Sequence, residues 1–455
     1  MSPFIEDTII ALATAQGISA IAVIRLSGAE AINIVQKAFK GKKLADQPSH
    51  TIHFGLFEDS GRVIDEVLIS IFKGPNSFTK ETSVEISCHG SPVIVKEIIK
   101  VLMRHGARLA EPGEFTRRAF LNGRFDLAQA EAVADLINAE TDNARQAALN
   151  QMRGGFSKQI DQLREELIHF ASLIELELDF GEEDVEFAKR EDLKALILKI
   201  QDYLQSLINS FDQGNVIKNG VPTVIAGRPN AGKSTLLNTL LNEERAIVSD
   251  IPGTTRDVIE DEMVLGGINF RFTDTAGLRD TEDILEAMGV ERTRDRMKKA
   301  SLILYLFDLT QTSLDEIDQE EAHLQTLGVP YIKVGNKLDK AEKKFISQLA
   351  TRDFIFISAS NKTNIRELKE RILSYFQVQT VRTGDVMVTN LRHYQNLQQT
   401  YDALQHVLEG MAQGITGDFL AMDIRQSLHY LGEITGTITT DDLLDNIFSK
   451  FCIGK

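Results

Sequence analysis

Residues 227–234 read GRPNAGKS, which fits G-x-x-x-x-G-K-[ST]; an apolar run precedes them and a helix-like run follows. Glycines at these positions let backbone N–H groups approach phosphate oxygens, and the positive end of the following helix faces them. Asn230, Ala231, Gly232, Lys233, Ser234 and Thr235 form the expected phosphate cradle. Lys233 would reach the β- and γ-phosphates, and the Ser234 hydroxyl would bind Mg²⁺. Asp274, Thr275, Ala276 and Gly277 come next, after the strand-like NFRFT. Their Asp would hold Mg²⁺ through water, and Gly277 would place an N–H near the γ-phosphate.

Asn336, Lys337, Leu338 and Asp339 follow PYIKVG. A carboxylate there can accept two hydrogen bonds from the N1–H and amino group of guanine, which adenine cannot offer. The wrong base leaves that carboxylate unpaired. Ser358, Ala359 and Ser360 after FIFI would support the base. Four such elements in order, each after a strand, predict a GTP site binding GTP with Mg²⁺. In small GTPases resembling Ras, a Gln follows D-x-x-G and orients the attacking water. Leu278 occupies that position and cannot hydrogen-bond. The catalytic group therefore comes from elsewhere, or the domain is a slow switch.

The elements that must position these residues are legible as periodicities. The runs at 221–227, 302–308, 330–335 and 354–358 are continuously apolar, as buried parallel strands are, and helices alternate with them. Before this region, Phe156, Ile160, Leu163, Leu167, Phe170, Ile174 and Leu178 form one helical stripe, and residues 193–211 form a second. GEEDVE at 181–186 reads as a solvated acidic loop between them. The helical pattern returns from Leu391 to Met411. The first 118 residues mix β-branched runs at 20–26, 66–72 and 83–87 with a helix over 92–104. The expected fold class is multidomain α/β: a small mixed α/β domain at 1–118, an all-α domain split between 119–220 and 380–455, and a doubly wound P-loop domain at 221–379 inserted into it.

The length of 455 residues agrees with about three domains. No apolar run is long enough for a membrane span. Two cysteines cannot build a disulfide framework, and a reducing cytoplasm is expected. The formal charge of −16 disfavours general coating of nucleic acid. It is unevenly placed. Residues 1–118 hold 14 basic and 13 acidic groups, and the two helical stretches together hold 15 and 28. Cys88 and His89 adjoin on a strand and point to opposite faces, a poor metal pair, so Cys88 reads as core.

The segments GPNSFTKE (74–81), EPGEFTRRAFLNGRFDLAQAEAVADLI (111–137), AGRPNAGKSTLLN (226–238), IVSDIPGTTRDV (247–258), DTAGL (274–278) and FCIGK (451–455) resemble the MnmE (TrmE) family of bacterial tRNA-modification GTPases. The resemblance implies a folate-binding, dimerising N-terminal domain, a helical domain and an inserted GTPase domain. It implies a homodimer that works with MnmG (GidA), a partner carrying FAD and using NADH. Together they would attach an aminomethyl or carboxymethylaminomethyl group to C5 of the wobble uridine of certain tRNAs. The carbon would come from 5-formyl- or methylene-tetrahydrofolate.

By position, the resemblance makes Asn230 a K⁺ ligand, with Ser249, Ile251 and Thr254 of the loop that also holds Asp250, Pro252, Gly253 and Thr255. Thr255 would join Ser234 on Mg²⁺. Glu286 aligns with a catalytic Glu that orients water indirectly; from the residues alone it is an exposed helix acid. By the resemblance, Arg25, Glu81, Arg124 and Lys455 align with folate contacts; the third is usually Lys in the family, and the charge is kept. Cys452 is either a buried structural thiol or, by the resemblance, a thiol at the modification site. Two other readings stand beside this one. One is a GTP switch for ribosome assembly, as in Era and Der. The other is a scaffold whose flavin partner performs all the carbon chemistry.

Overall fold

The computed structural model describes residues 7–179, 189–244, 261–272, 295–376 and 380–454. Strands β1 (Ile9–Leu12), β2 (Ser19–Ser27), β3 (Phe39–Lys40), β4 (Thr51–Asp59), β5 (Arg62–Phe72), β6 (Ser83–Gly90) and β7 (Arg108–Leu109) form one sheet in the order β3-β4-β5-β6-β2-β1-β7. Helices α1 (Ala31–Gln36) and α2 (Pro92–Arg104) cover one face. The period-2 pattern decides which face. Val67, Ile69 and Ile71 of β5 meet Ile34, Val35, Ile98 and Leu102 of the helices. The opposite face leaves Ile21, Ile52, Phe54 and Leu68 exposed, at 62%, 65%, 63% and 44%. Phe54 pairs with Leu68 across β4 and β5, so the exposed side chains form a patch.

Helices α3 (Glu114–Leu121), α4 (Leu127–Ile137), α5 (Asp142–Met152), α6 (Gly155–Asp179) and α7 (Arg190–Asn219) follow. Asp126 caps α4 in a reciprocal pair with Gln129, and the Thr141 hydroxyl caps α5.

The P-loop region then supplies β8 (Val221–Gly227), α8 (Lys233–Glu244), β9 (Asp261–Leu265), β10 (Ile268–Phe272), β11 (Leu302–Asp308), α9 (Leu314–Thr326), β12 (Tyr331–Asn336), α10 (Lys343–Leu349), β13 (Phe354–Phe356) and α11 (Ile365–Ser374). Its sheet has the order β13-β12-β11-β8-β10-β9, parallel except for β9. Every residue of β11 is buried. Alternate residues of its strands meet α8 and α11 on one face, and α9 and α10 on the other. The protein is thus a multidomain α/β chain with a doubly wound P-loop domain.

The chain ends in α12 (Leu391–Ala412), α13 (Gly417–Thr435) and α14 (Asp441–Phe448). Leu397, Leu404 and Val407 of α12 and Ile424 and Leu431 of α13 share one core with Ile160 and Leu167 of α6 and Ile197, Ile200 and Leu204 of α7. A buried polar contact joins the same two stretches. Glu131 of α4 accepts from Arg392 Nε at 3.1 Å and Nη2 at 2.8 Å, and from His393 Nε2 at 2.7 Å. Burial alone would raise the Glu131 pKa, but the charge and hydrogen bonds of its partners hold it far below the carboxylate range. Burial holds His393 below its ordinary value, against the pull of the Glu131 charge beside it.

Side-chain amides of α5 secure the P-loop domain's connections. Asn143 accepts from the Val381 N–H at 3.3 Å, and Asn150 donates to the carbonyls of Arg382 at 2.8 Å and Asp385 at 3.2 Å. Asn269 of β10 donates to Glu140. The acidic segment 181–186 lies outside the described residues.

Removing one partner of a buried pair strands the other charge. Glu131→Ala is expected to lower unfolding free energy by about 3–5 kcal/mol in a denaturant titration. A loss within about 0.5 kcal/mol, the range of a surface substitution, would contradict this account of the tie.

Candidate functional site

At the C-terminal edge of the P-loop sheet, β8 turns through Gly227 into the phosphate loop. Asn230 is exposed and has φ +60°. Gly232 has φ +98°, and a Cβ built there would lie 2.2 Å from Asn336 Nδ2. Only glycine fits. That crowding comes from a tie between three loops: Asn336 Nδ2 donates to the Ala231 carbonyl at 2.8 Å, and Oδ1 accepts from the Ala359 N–H at 3.1 Å. Thr239 Oγ1 adds a bond to the Ala359 carbonyl at 3.0 Å. Lys233 Nζ donates to the carbonyls of Gly227 and Arg228 at 2.9 Å each. Burial holds this amine below the ordinary lysine value. Ser234 and Thr235 lie in the first turn of α8.

Asp339 is exposed, and its Oδ1 accepts from Ser358 Oγ at 2.7 Å. Ser360 Oγ lies 3.3 Å from Ser358 Oγ. One carboxylate oxygen is therefore anchored while the group still faces outward. Lys337, at φ +64°, donates to Asp308 Oδ2 at 2.6 Å. Burial would raise the Asp308 pKa, but Lys337 and Thr310 hold it low. Asp308 was not among the sequence-derived candidates; its one signal is an acid closing the apolar run LILYLFD. The structure brings together residues 230–235, Asn336, Lys337, Asp339 and residues 358–360. Ser249, Asp250, Ile251, Pro252, Gly253, Thr254, Thr255, Asp274, Thr275, Ala276, Gly277, Glu286 and Lys455 lie outside the described residues.

A second cluster forms on the N-terminal sheet. Arg25 of β2 donates to Glu85 at 2.9 Å, and its guanidinium sits 5.4 Å from the centre of the Phe78 ring. Arg124 approaches the same ring at 5.3 Å and donates to the Ser77 carbonyl. Glu81 accepts from Ser27 Oγ at 2.6 Å and from Arg118 Nη1 at 3.3 Å. Arg118, Ser27 and Phe78 were missed in the sequence. RR at 117–118 gives no sign of which arginine is buried.

The C-terminal tail reaches this domain. The Gly113 N–H donates to the Cys452 carbonyl at 3.4 Å, and Pro112 bridges Ile453. Gly454, at φ +96°, lies so close to β1 that a Cβ would fall 2.2 Å from the Leu12 carbonyl oxygen. Leu12 pairs with Ile24, the neighbour of Arg25. Cys452 is exposed, which removes the buried-thiol alternative. Cys88 is buried, and burial, then Asp65, pushes its thiol up to about 11. His89 pairs with Asp65 at 2.7 Å. Among the described residues no group of three His, Cys, Asp or Glu side chains could hold a metal.

A P-loop in a doubly wound sheet, with an anchored carboxylate where a guanine would lie, defines a guanine-nucleotide-binding protein. Residues 8–124 match the family described as GTP-binding protein TrmE N-terminus, and residues 127–452 match the MnmE helical domain. The chain is 60% identical over 450 residues to the tRNA modification GTPase MnmE of Cytophaga hutchinsonii, covering 99% of this chain and 98% of that one. It is 51% identical over 472 residues to the protein of that name from Christiangramia forsetii, covering 99% and 100%. The chain belongs to the MnmE family of tRNA-modification GTPases and is a GTP hydrolase.

Asp339→Asn should weaken GTP binding on the order of 100-fold, because the guanine N1–H and amino group lose their charged acceptor. Its amide should instead favour xanthosine triphosphate, whose C2 carbonyl accepts. Competition against a labelled guanine nucleotide reads both; unchanged preference for GTP would contradict the assignment of Asp339.

Proposed function

We propose that this GTPase drives addition of an aminomethyl or carboxymethylaminomethyl group to C5 of the wobble uridine of certain tRNAs. It would act in the cytoplasm with a flavoprotein of the MnmG (GidA) type, which holds FAD and uses NADH. The observation that carries this reading is the Cys452 tail, whose Gly454 lies against Leu12 of β1, the residue paired with Ile24 next to Arg25.

A reduced folate suits that cluster, as 5-formyl- or methylene-tetrahydrofolate. The guanidiniums of Arg25 and Arg124 complement its carboxylate tail, and Glu81 can accept from the pterin N–H groups. Lys455 would add a cation. The folate carries the one-carbon unit; this chain's part is to bind and orient it, with the exposed Cys452 thiol at the same site. The exposed Ile21, Ile52, Phe54 and Leu68 lie on the sheet face that also carries Arg25 and Ser27, and they support a homodimer across that face. Among the described residues no helix is long and apolar enough to cross a membrane. The excess of acid on the helical stretches directs tRNA to the N-terminal domain or to the partner.

Leu278 cannot orient water as a Gln does, so another group must, and the charge that develops in hydrolysis also needs a positive partner. K⁺ and Mg²⁺ suit the hard oxygen donors of the loop. The described part fits: Asn230 is exposed on the loop and Ser234 opens α8. Asn230, Ser249, Ile251 and Thr254 would hold K⁺, which supplies the charge an arginine finger otherwise brings. Ser234 and Thr255 would hold Mg²⁺, and Glu286 would orient water when two such domains meet.

The GTPase rate should be several-fold higher in KCl than in NaCl at equal ionic strength; equal rates would rule out the K⁺ site. Glu81→Ala should lose 5-formyl-tetrahydrofolate binding in calorimetry, and unchanged affinity would sink the folate assignment.

A further inference from the structure

We infer that Arg118 and Ser27 are positioning residues for Glu81, fixing the carboxylate that a reduced folate meets; the inference rests on the folate reading above. Glu81 belongs to the connection between β5 and β6, where a free glutamate side chain would sample several rotamers. Holding one of them in advance spares the ligand that entropy cost.

Two elements distant in sequence do the holding. Ser27 Oγ, on β2, donates to Oε2 at 2.6 Å. Arg118 Nη1, on α3, lies 3.3 Å from Oε1 and 3.4 Å from Oε2, so it straddles the group. Thr79 Oγ1 sits 2.6 Å from Ser27 Oγ and accepts from the Glu81 N–H at 3.3 Å, which fixes the backbone as well.

Arg118 is itself immobilised. Its Nη2 donates to Asp7 Oδ1 at 2.5 Å and Glu114 Oε1 at 3.0 Å, and its Nη1 donates to the Asp7 carbonyl at 2.9 Å. Arg108 braces Glu114 at 2.6 Å and 3.1 Å. The Arg118 side chain is 4% exposed, against 14% for Glu81. Arg118 therefore lies behind the carboxylate and acts on a ligand through it. A carboxylate has about four acceptor directions, and these partners leave room for a ligand donor.

The test is a double-mutant cycle on the full chain, read as the dissociation constant for 5-formyl-tetrahydrofolate, with thermal unfolding as the check of folding. Glu81→Gln and Arg118→Gln should each weaken binding about tenfold to a hundredfold. The double variant should bind no worse than Glu81→Gln alone, because Arg118 acts only through Glu81. Effects that multiply, or a folded Arg118→Gln that binds like wild type, would overturn the positioning role. If Glu81→Gln itself binds like wild type, the folate reading falls and this inference with it. Arg118 is buried against the carboxylates of Asp7, Glu81 and Glu114, and its loss can unfold the domain. In that case Ser27→Ala carries the same cycle: weaker binding alone and no further loss on top of Glu81→Gln, with multiplying effects again overturning the role.

Discussion

Glu131 is buried between Arg392 and His393, and that carboxylate fixes how two stretches of chain on either side of the GTPase domain, already sharing an apolar core, meet as a single frame. Burying an acid is costly unless its charge and lone pairs are met. Here a guanidinium and an imidazole meet them, so the contact forms only when α4 and α12 are in register. The apolar core of α6, α7, α12 and α13 supplies attraction without direction; the polar contact supplies direction.

The other contacts of α4 show why its placement matters. Asp135 pairs with Lys218 at 2.8 Å, in the last turn of the helix that feeds β8 and the phosphate loop. Leu127 and Ala130, near the other end, pack on Ile447 and Phe448 of α14, just ahead of Cys452. One short helix thus touches the root of the nucleotide site and the base of the tail. The GTPase domain is tethered to the same frame by α5, whose amides hold both the β9–β10 turn and the returning linker.

Much of this was legible in the residues. Strand β11 and helix α2 have the bounds their apolar patterns give, because a fully buried strand and an amphipathic helix are each dominated by one periodicity. The phosphate loop and the guanine-reading motif were legible because their chemistry demands fixed residue types in short windows. What stayed hidden depends on distant pairing. The strands β1 and β7 are too short to show a pattern. Glu131 reads as an ordinary helix acid until Arg392 and His393 arrive from 261 and 262 residues away. The Arg118 cluster is hidden for the same reason: Asp7 and Glu81 meet that guanidinium from 111 and 37 residues away. Arg25, Glu81 and Arg124 were located by family resemblance, since each alone looks like a surface charge.

The nucleotide chemistry and the N-terminal cluster have one proposed output, a modified wobble uridine. The most direct measurement is mass spectrometry of nucleosides from tRNA of cells lacking this chain. The account predicts that the aminomethyl- or carboxymethylaminomethyl-uridine disappears and returns with the wild-type chain. Unchanged modified uridine, accompanied by unassembled ribosomal subunits, would contradict it and favour a GTP switch in ribosome assembly.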